Sequence, residues 1–303
     1  MIVSGKSQIA PPGFESYFGR IVVIKIGGEL MADPKVAREL ANDIVLLKSL
    51  DINPVVIHGG GPQIDALLDK LGIASEFHNG LRLSDQRTVE VAEMVLSGTI
   101  NKRLVGWISE AGGRAIGISG KDGGFVTADK MDSPSQVEES SRNFISPSFI
   151  GKPVKVDVTI INGLIDCGMI PIVSPICMGY DGQTYNVNAD TIAGAVAAAL
   201  GAAQLLLLTN VCGVMDADGL QFDKLDPFQI QDLKKKGIIY GGMIPKLDAC
   251  INAVSSGCSA AVVLDGNVLR TILTALTSVG SVGTIIKADY MENSFSTQLV
   301  SCD

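Results

Sequence analysis

Two lysines in this chain occupy positions where a lysine is unexpected. Lys25 lies between Ile24 and Ile26 in the β-branched run IVVIKI, and Lys246 lies in the segment GGMIPKLDAC, near the start of a helix whose Ile244, Leu247, Ile251 and Val254 share one face. An ammonium in a buried strand is costly unless it faces an anion at the strand end. The other reading of Lys25 is an edge-strand lysine that reaches solvent. Lys246, taken by itself, reads as a solvated surface lysine. The run holding Lys25 ends in Gly27-Gly28, and a second apolar run ends in His58-Gly59-Gly60-Gly61. Glycine after a strand lets the backbone approach an anion, and the helix that follows points its first N–H groups at it. Two such loops, one preceded by a buried lysine, point to an anion site.

Two further segments carry polar groups in regular positions. YNVNAD sets Asn186, Asn188 and Asp190 at alternate positions before an Ala-rich helix, which Asn188 or Asp190 could cap. Leu205 to Asn210 runs into VCGVMDADG, a second apolar strand with a glycine-containing turn where a second ligand could sit. Other chemistries fail on spacing. Gly5-Lys6-Ser7 lacks the upstream glycine and strand of a P-loop, and no G-x-G-x-x-G opens a helix. With His58 and His78 the only histidines and no clustered cysteines, a zinc site held by the protein is not expected.

The elements that would position these groups follow from periodicity. Val36, Leu40, Ile44 and Leu47 recur at helical spacing after the first glycine pair. After the second, Pro62 sits as a first helical residue and Ile64, Leu67, Leu68 and Leu71 form one face. Further strands are expected at Ala115 to Ile118, Ile170 to Val173, Leu205 to Thr209, Ala260 to Leu264 and Gly283 to Ile286. This alternation predicts an α/β fold, an αβα sandwich around an open, mostly parallel sheet. Residues 124–157 and 178–187 read as hairpins over the sheet edge. Ile192 to Leu208 is nearly all apolar but only 17 residues long and interrupted by Gly194, Gly201 and Gln204. It reads as a buried helix followed by a buried strand, not as a membrane span.

Composition agrees with that class. The 303 residues are 47% hydrophobic but only 5% aromatic, with 34 glycines, as suits parallel sheets under Ala- and Leu-rich helices. The net charge of −8, with no basic segment, argues against a nucleic-acid partner. Six cysteines show no C-x-x-C spacing and sit mostly in apolar runs, as buried free thiols of a reducing cytoplasm do. The amino-terminal arm, with Pro11-Pro12, is unlike a signal peptide.

KIGGELM, HGGGPQID, NGLRLSD, GISGKDGG, YNVNAD and GGMIPK, in this order and spacing, resemble the N-acetylglutamate kinases of the amino-acid kinase superfamily, from about Arg20 to Lys287. K-x-G-G and H-G-G-G occur across the superfamily, whereas N-G-L-R, G-K-D-G, N-V-N-A-D and G-G-M-x-P-K together are more specific. The resemblance implies an extension over 1–20, an amino-acid-substrate lobe over 21–190, a nucleotide lobe over 191–287 and a tail over 288–303. It implies transfer of phosphoryl from ATP to the side-chain carboxylate of N-acetyl-L-glutamate, with Mg²⁺ held mainly through the nucleotide and no metal held by the protein. Lys25 and Lys246 would stabilise the transferring phosphoryl group and Asp190 would position them. Gly27 and Gly28 would approach the phosphates, Gly60 and Gly61 the reacting carboxylate, and Arg82, Asn186 and Asn188 the rest of the amino acid. Thr209, Asn210, Val211, Cys212, Gly213, Val214 and Met215, with Ile238, Ile239 and Tyr240, would line the nucleotide pocket. A homodimer or hexamer is implied, and a PII-type regulator is a partner of some relatives.

Two departures carry expectations of their own. Asn210 stands where the family has an aspartate, which implies altered nucleotide affinity. Val262 and Ala275 stand where arginine-inhibited members carry a histidine and a glutamate, so arginine feedback is not expected.

The residue types suit this reaction. A carboxylate with a reference pKa of about 4.3 is already an anionic nucleophile at neutral pH, so no base has to remove a proton. The obstacle is repulsion from ATP, about 4 kcal/mol for like charges 4 Å apart at an effective dielectric near 20. Lysines, glycine N–H groups and Mg²⁺ oppose it. The alternatives are a sister kinase for N-acetylaminoadipate, carrier-bound glutamate or free glutamate, and a non-catalytic sensor of nucleotide and amino acid.

Overall fold

The computed structural model describes residues 12–74, 76–78, 81–83, 85–131, 149–277 and 282–288. Strand β1 (Ile21–Ile26), helix α1 (Pro34–Ser49), β2 (Asn53–His58) and α2 (Gly61–Lys70) form two strand–glycine–helix units. A hairpin of β3 (Glu76–His78) and β4 (Leu81–Leu83) leads into α3 (Gln86–Glu93), a π-helical turn at Met94–Ile100, α4 (Asn101–Glu110) and β5 (Ala115–Ser119). Then come β6 (Val126–Lys130), β7 (Ile150–Val156), α5 (Thr159–Asp166), β8 (Ile170–Ser174), β9 (Ile176–Met178), β10 (Thr184–Val187) and α6 (Ala189–Ala199). The remainder is β11 (Gln204–Thr209), β12 (Lys224–Leu225), α7 (Pro227–Lys235), α8 (Met243–Ser255), β13 (Ala261–Asp265), α9 (Thr271–Thr277) and β14 (Thr284–Ile286).

Eight strands form one sheet in the order β12-β14-β13-β11-β1-β2-β8-β5, parallel from β13 to β5, with β14 antiparallel to β13. β1 lies between β11 and β2, with Lys25 in register with Leu207 and Ile57, so the edge-strand reading of Lys25 is excluded. Side chains alternate across a strand. Val22, Ile24 and Ile26 join a core with Leu40, Ile44 and Leu47 of α1. Val23 joins the opposite core, with Ile192, Ala193 and Val196 of α6. Lys25, two residues after Val23, therefore points to the α6 side, near the carboxyl end of its strand.

The two segments read as hairpins over the sheet edge are placed differently. β6, β7, β9 and β10 close into a small four-stranded barrel. β9 starts two residues after β8 ends, so the barrel stands at the carboxyl ends of β8 and β5. The apolar stretch from Ile192 resolves into α6 and β11, and among the described residues no helix is long and apolar enough to cross a membrane. Among the described cysteines, Cys177, Cys250 and Cys258 are buried and free, as read from their apolar runs. Cys167 and Cys212 are exposed because they fall at a helix end and in a turn, and Cys302 lies outside the described residues.

One glycine sets a helix spacing. A Cβ on Gly194 of α6 would stand 2.6 Å from the carbonyl oxygen of Ala249 on α8, so the two helices meet backbone to backbone. The contact lies one turn beyond Asp190 on α6 and about one turn beyond Lys246 on α8. Gly194→Val should destabilise the fold by about 1–3 kcal/mol, the scale of overpacking in a rigid core. Urea denaturation checks this, and an unchanged midpoint at unchanged slope would show that the helix pair has slack.

Candidate functional site

Asp190 is the meeting point of the site. Asn188 caps α6, its Oδ1 accepting from the backbone N–H of Asp190 at 2.8 Å and of Thr191 at 3.1 Å. The cap holds Asp190 in the first helical turn, where the helix dipole favours a negative charge. Lys25 Nζ approaches Asp190 Oδ1 at 2.8 Å, and Lys246 Nζ donates to Asp190 Oδ2 at 2.9 Å. One carboxylate thus holds two ammoniums from opposite sides, Lys25 from the sheet and Lys246 from the first turns of α8. The side chains of Lys25 and Asp190 are 8% and 6% exposed, and that of Lys246 is 20% exposed. Lys246 is therefore not the solvated surface lysine that it resembles in isolation.

Burial acts against the charges on Asp190 and Lys25. It would raise the Asp190 carboxyl, but Lys25 and then Lys246 overcome it and hold the group down to about 2. Burial lowers the Lys25 ammonium, Asp190 opposes that, and Lys246 adds to it. With both amines protonated, two positive charges face one negative charge and the cluster is left at +1. A buried excess charge calls for a counter-ion, and a cleft opens beside it.

That cleft, about 230 Å³, is lined by Lys25, Gly28, Gly60, Gly61, Asn186, Asn188 and Asp190 among others. The two glycine loops form its floor and touch each other. A Cβ on Gly28 would lie 2.9 Å from Gly60 Cα, and one on Gly60 would lie 2.3 Å from Ile100 Cδ1. A side chain at Gly28 would run into backbone, and one at Gly60 would have to displace the ends of Ile100 and Leu96. Gly27 does not line the cleft, whereas Gly59, Pro175 and Val187 do. Arg82 lies on β4 in register with Phe77, and β4 runs beside β7, the strand whose Ile150 forms part of the cleft wall.

The residues expected to line a nucleotide pocket gather elsewhere, at the neighbouring strand end. Thr209 closes β11, whose Leu208 pairs with Ile26 at the end of β1. Asn210, Val211 and Cys212 are exposed in the turn that follows, and Asn210 Oδ1 accepts from Thr209 Oγ1 at 3.3 Å. Gly213 and Val214 are buried, the N–H of Val214 donating to Thr284 Oγ1 at 2.8 Å, and Met215 bridges to Gln221. Ile238, Ile239 and Tyr240 precede α8; Ile239 is buried and Tyr240 stands exposed. None of these residues lines the cleft beside Lys25. Val262 is buried in β13 and Ala275 packs on the core, so neither offers a polar group.

Two supporting contacts were not legible as functional. Lys121, from the GISGKDGG segment, donates to Glu93 Oε1 at 2.9 Å and Thr184 Oγ1 at 3.0 Å, bracing α3 against β10, the strand of Asn186. His58 is buried beneath the second glycine loop. Its Nδ1 lies 3.0 Å from the Gly59 carbonyl and its Nε2 lies 3.3 Å from Asn101 Nδ2, whose two hydrogens are shared between this nitrogen and the carbonyls of Ile118 and Ile172. These partners assign the neutral ring protonated at Nδ1 and accepting at Nε2.

Comparison with known proteins gives a consistent answer. Residues 20–265 match the Amino acid kinase family. The chain is 56% identical over 281 residues to the acetylglutamate kinase of Erythrobacter litoralis, covering 92% of this chain and 94% of that one. It is 51% identical over 285 residues to the acetylglutamate kinase of Novosphingobium aromaticivorans, with coverage of 92% and 94%. Among solved structures, an N-acetylglutamate synthase from Neisseria gonorrhoeae, complexed with coenzyme A and N-acetyl-glutamate, superposes with a TM-score of 0.78 at 24% identity, over 92% of this chain and 62% of that one. A carbamate kinase from Giardia lamblia bound to AMP-PNP superposes with a TM-score of 0.64 at 19% identity, over 89% and 99%. These two likenesses concern the fold.

The His58 environment sets a pH dependence. Burial depresses its pKa from 6.5 to about 4, with the Gly59 hydrogen bond opposing. Between these values the unfolded chain binds the extra proton, so stability falls as pH drops from about 6.5 to about 4 and then levels off. The shift corresponds to about 3 kcal/mol. Denaturant titrations across this range should show a shallower fall for His58→Gln than for the wild type, and parallel curves would place the acid sensitivity elsewhere.

Proposed function

The chain belongs to the amino acid kinase family, among the acetylglutamate kinases, and from that premise we infer how its residues divide the work of phosphorylating N-acetylglutamate with ATP, a step of arginine biosynthesis. The observation that carries the inference is the carboxylate of Asp190, shared between Lys25 and Lys246 at 2.8 and 2.9 Å beside a glycine-floored cleft. The substrate's side-chain carboxylate takes the cleft at Gly60 and Gly61, with Arg82, Asn186 and Asn188 holding the rest of the molecule. Asn188 spends its Oδ1 on the helix cap, so its Nδ2 is the group it offers. ATP enters from the 209–215 and 238–240 side and brings its γ-phosphate over Gly27 and Gly28. The lobes meet near residue 190, where α6 begins.

Chemistry then needs charge stabilisation more than proton transfer. A carboxylate oxygen of the substrate attacks the γ-phosphorus and the bond to the β-phosphate oxygen breaks. Negative charge is spread over the equatorial oxygens and the leaving oxygen in the transition state. Lys25 and Lys246, held by Asp190 before the substrates arrive, supply donors there with little reorganisation. Asp190 is the carboxylate among the cleft-lining residues and is committed to the two lysines, so a Mg²⁺ arriving with ATP would be held through phosphate oxygens. When bound, that ion neutralises charge on the phosphates.

Lys25→Ala and Lys246→Ala should each lower kcat by roughly 10²-fold or more, the effect of removing one preorganised electrostatic group. Near-normal turnover in both would sink the assignment. Arg82→Ala should chiefly raise KM for the amino acid, as loss of a carboxylate clamp does, and a pure kcat effect would argue against that role. Trapping the acyl phosphate with hydroxylamine, across N-acetylglutamate, N-acetylaminoadipate and glutamate, tests the acceptor. A clear preference for either of the other two acids would overturn it, and nucleotide binding without any hydroxamate would mark a sensor.

A further inference from the structure

Gln63 is the third residue of α2, a position from which glutamine commonly turns back to the N–H that precedes its own helix. Gln229 does so on α7, where it and Asp226 form a capping box. Gln63 does not. Its Nε2 crosses to the other glycine loop and donates to the carbonyl of Gly28 at 2.7 Å. Its Oε1 is buried with no hydrogen-bond partner among the described residues. Turning the amide over would set Oε1 against the Gly28 carbonyl, oxygen to oxygen, so the orientation is imposed by the bond that Nε2 makes. A buried acceptor left unpaired is an exception that calls for a reason. The reason lies at the junction of the loops, where a Cβ on Gly28 would meet Gly60 Cα at 2.9 Å and Gln63 Oε1 at 3.0 Å.

We propose that Gln63 is a positioning residue that ties the two glycine loops together and sets the distance between the two anions they hold. This rests on the reading above, in which the first loop approaches the phosphates and the second the acceptor carboxylate. Each loop keeps its own N–H groups without Gln63, so each anion still binds. What the side chain controls is their separation, and a misplacement of about 1 Å can cost 10²-fold in rate. The role requires a donor at Nε2, which distinguishes it from simple filling of space.

The test uses Gln63→Leu and Gln63→Glu in the full chain, with kcat and both KM values measured by hydroxamate formation and thermal melting recorded alongside. Gln63→Leu should lose about tenfold or more in kcat while each KM moves less than about threefold. In Gln63→Glu the protonated acid can donate to the Gly28 carbonyl and the carboxylate cannot, so kcat relative to wild type should rise as pH is lowered from 8 toward 5.5. A Gln63→Leu kcat within twofold of wild type overturns the proposal, as does a Gln63→Glu ratio that stays flat with pH. If Gln63→Leu does not fold, the Gln63→Glu ratio decides alone. Wild-type protein that forms no hydroxamate would overturn the underlying reading of the site, and an active wild type with unaffected variants would overturn the role of Gln63 only.

Discussion

The structure is organised around a charge imbalance placed deep in its centre. One carboxylate, Asp190, holds two ammoniums, and all three groups are at least four-fifths shielded from water. Two bare ammoniums at this depth would repel each other and shed their protons. Asp190 opposes that for Lys25, and with both amines protonated one positive charge is left over, a standing attraction for an anion away from solvent. The effect is local. The chain as a whole carries −8, so long-range attraction does not bring a polyanion here. Short-range donors aimed into a narrow cleft must do it.

Holding that triad makes demands on the scaffold, and most of the tight contacts near the site answer them. Lys25 must come from the middle of the sheet at the end of a strand, on the face that carries α6. Asp190 must sit in the first turn of α6, which the Asn188 cap ensures. Lys246 must reach the same carboxylate from α8, and the backbone contact at Gly194 and Ala249 draws the two helices close enough about one turn away. The glycine floor has a matching requirement. Gly28 and Gly60 lie against each other, so the two loops meet with no side chain between them.

The parts legible in the sequence were those with a local cause. The strands with glycine after them, the helical faces and the parallel sheet follow from periodicity and turn chemistry, and they hold in the structure with small shifts of boundary. Lys25 stood out because an ammonium in an apolar run needs an explanation wherever the run folds. Lys246 did not, because its meaning depends on a helix crossing that its own neighbours do not encode. Gly194 read only as a break in an apolar stretch, although it is where two backbones touch. Segments 124–157 and 178–187 were recognisable as strand pairs, but their closure into a barrel depends on pairings between distant residues. Lys121 and Gln63 belonged to recognisable motifs, yet the partners that each reaches, Glu93 and Thr184 for Lys121 and the Gly28 carbonyl for Gln63, are visible only in three dimensions.

The same groups also limit what the acceptor can be. A kinase for an alcohol has to dispose of the hydroxyl proton, and a positioned base speeds that step. The nearby titratable groups are unsuited to that task. Asp190 is held at about 2 and is occupied by two lysines, so it is too weak a base. His58 lies beneath the floor with both ring nitrogens engaged, Nδ1 at Gly59 and Nε2 at Asn101, and burial opposes its protonation. Lys25 and Lys246 are both tied to the Asp190 carboxylate. A site furnished in this way can use an acceptor that arrives already deprotonated. That condition selects a carboxylic acid over an alcohol before any contact with the rest of the substrate is made, and the choice among carboxylic acids is left to the residues around the acyl group.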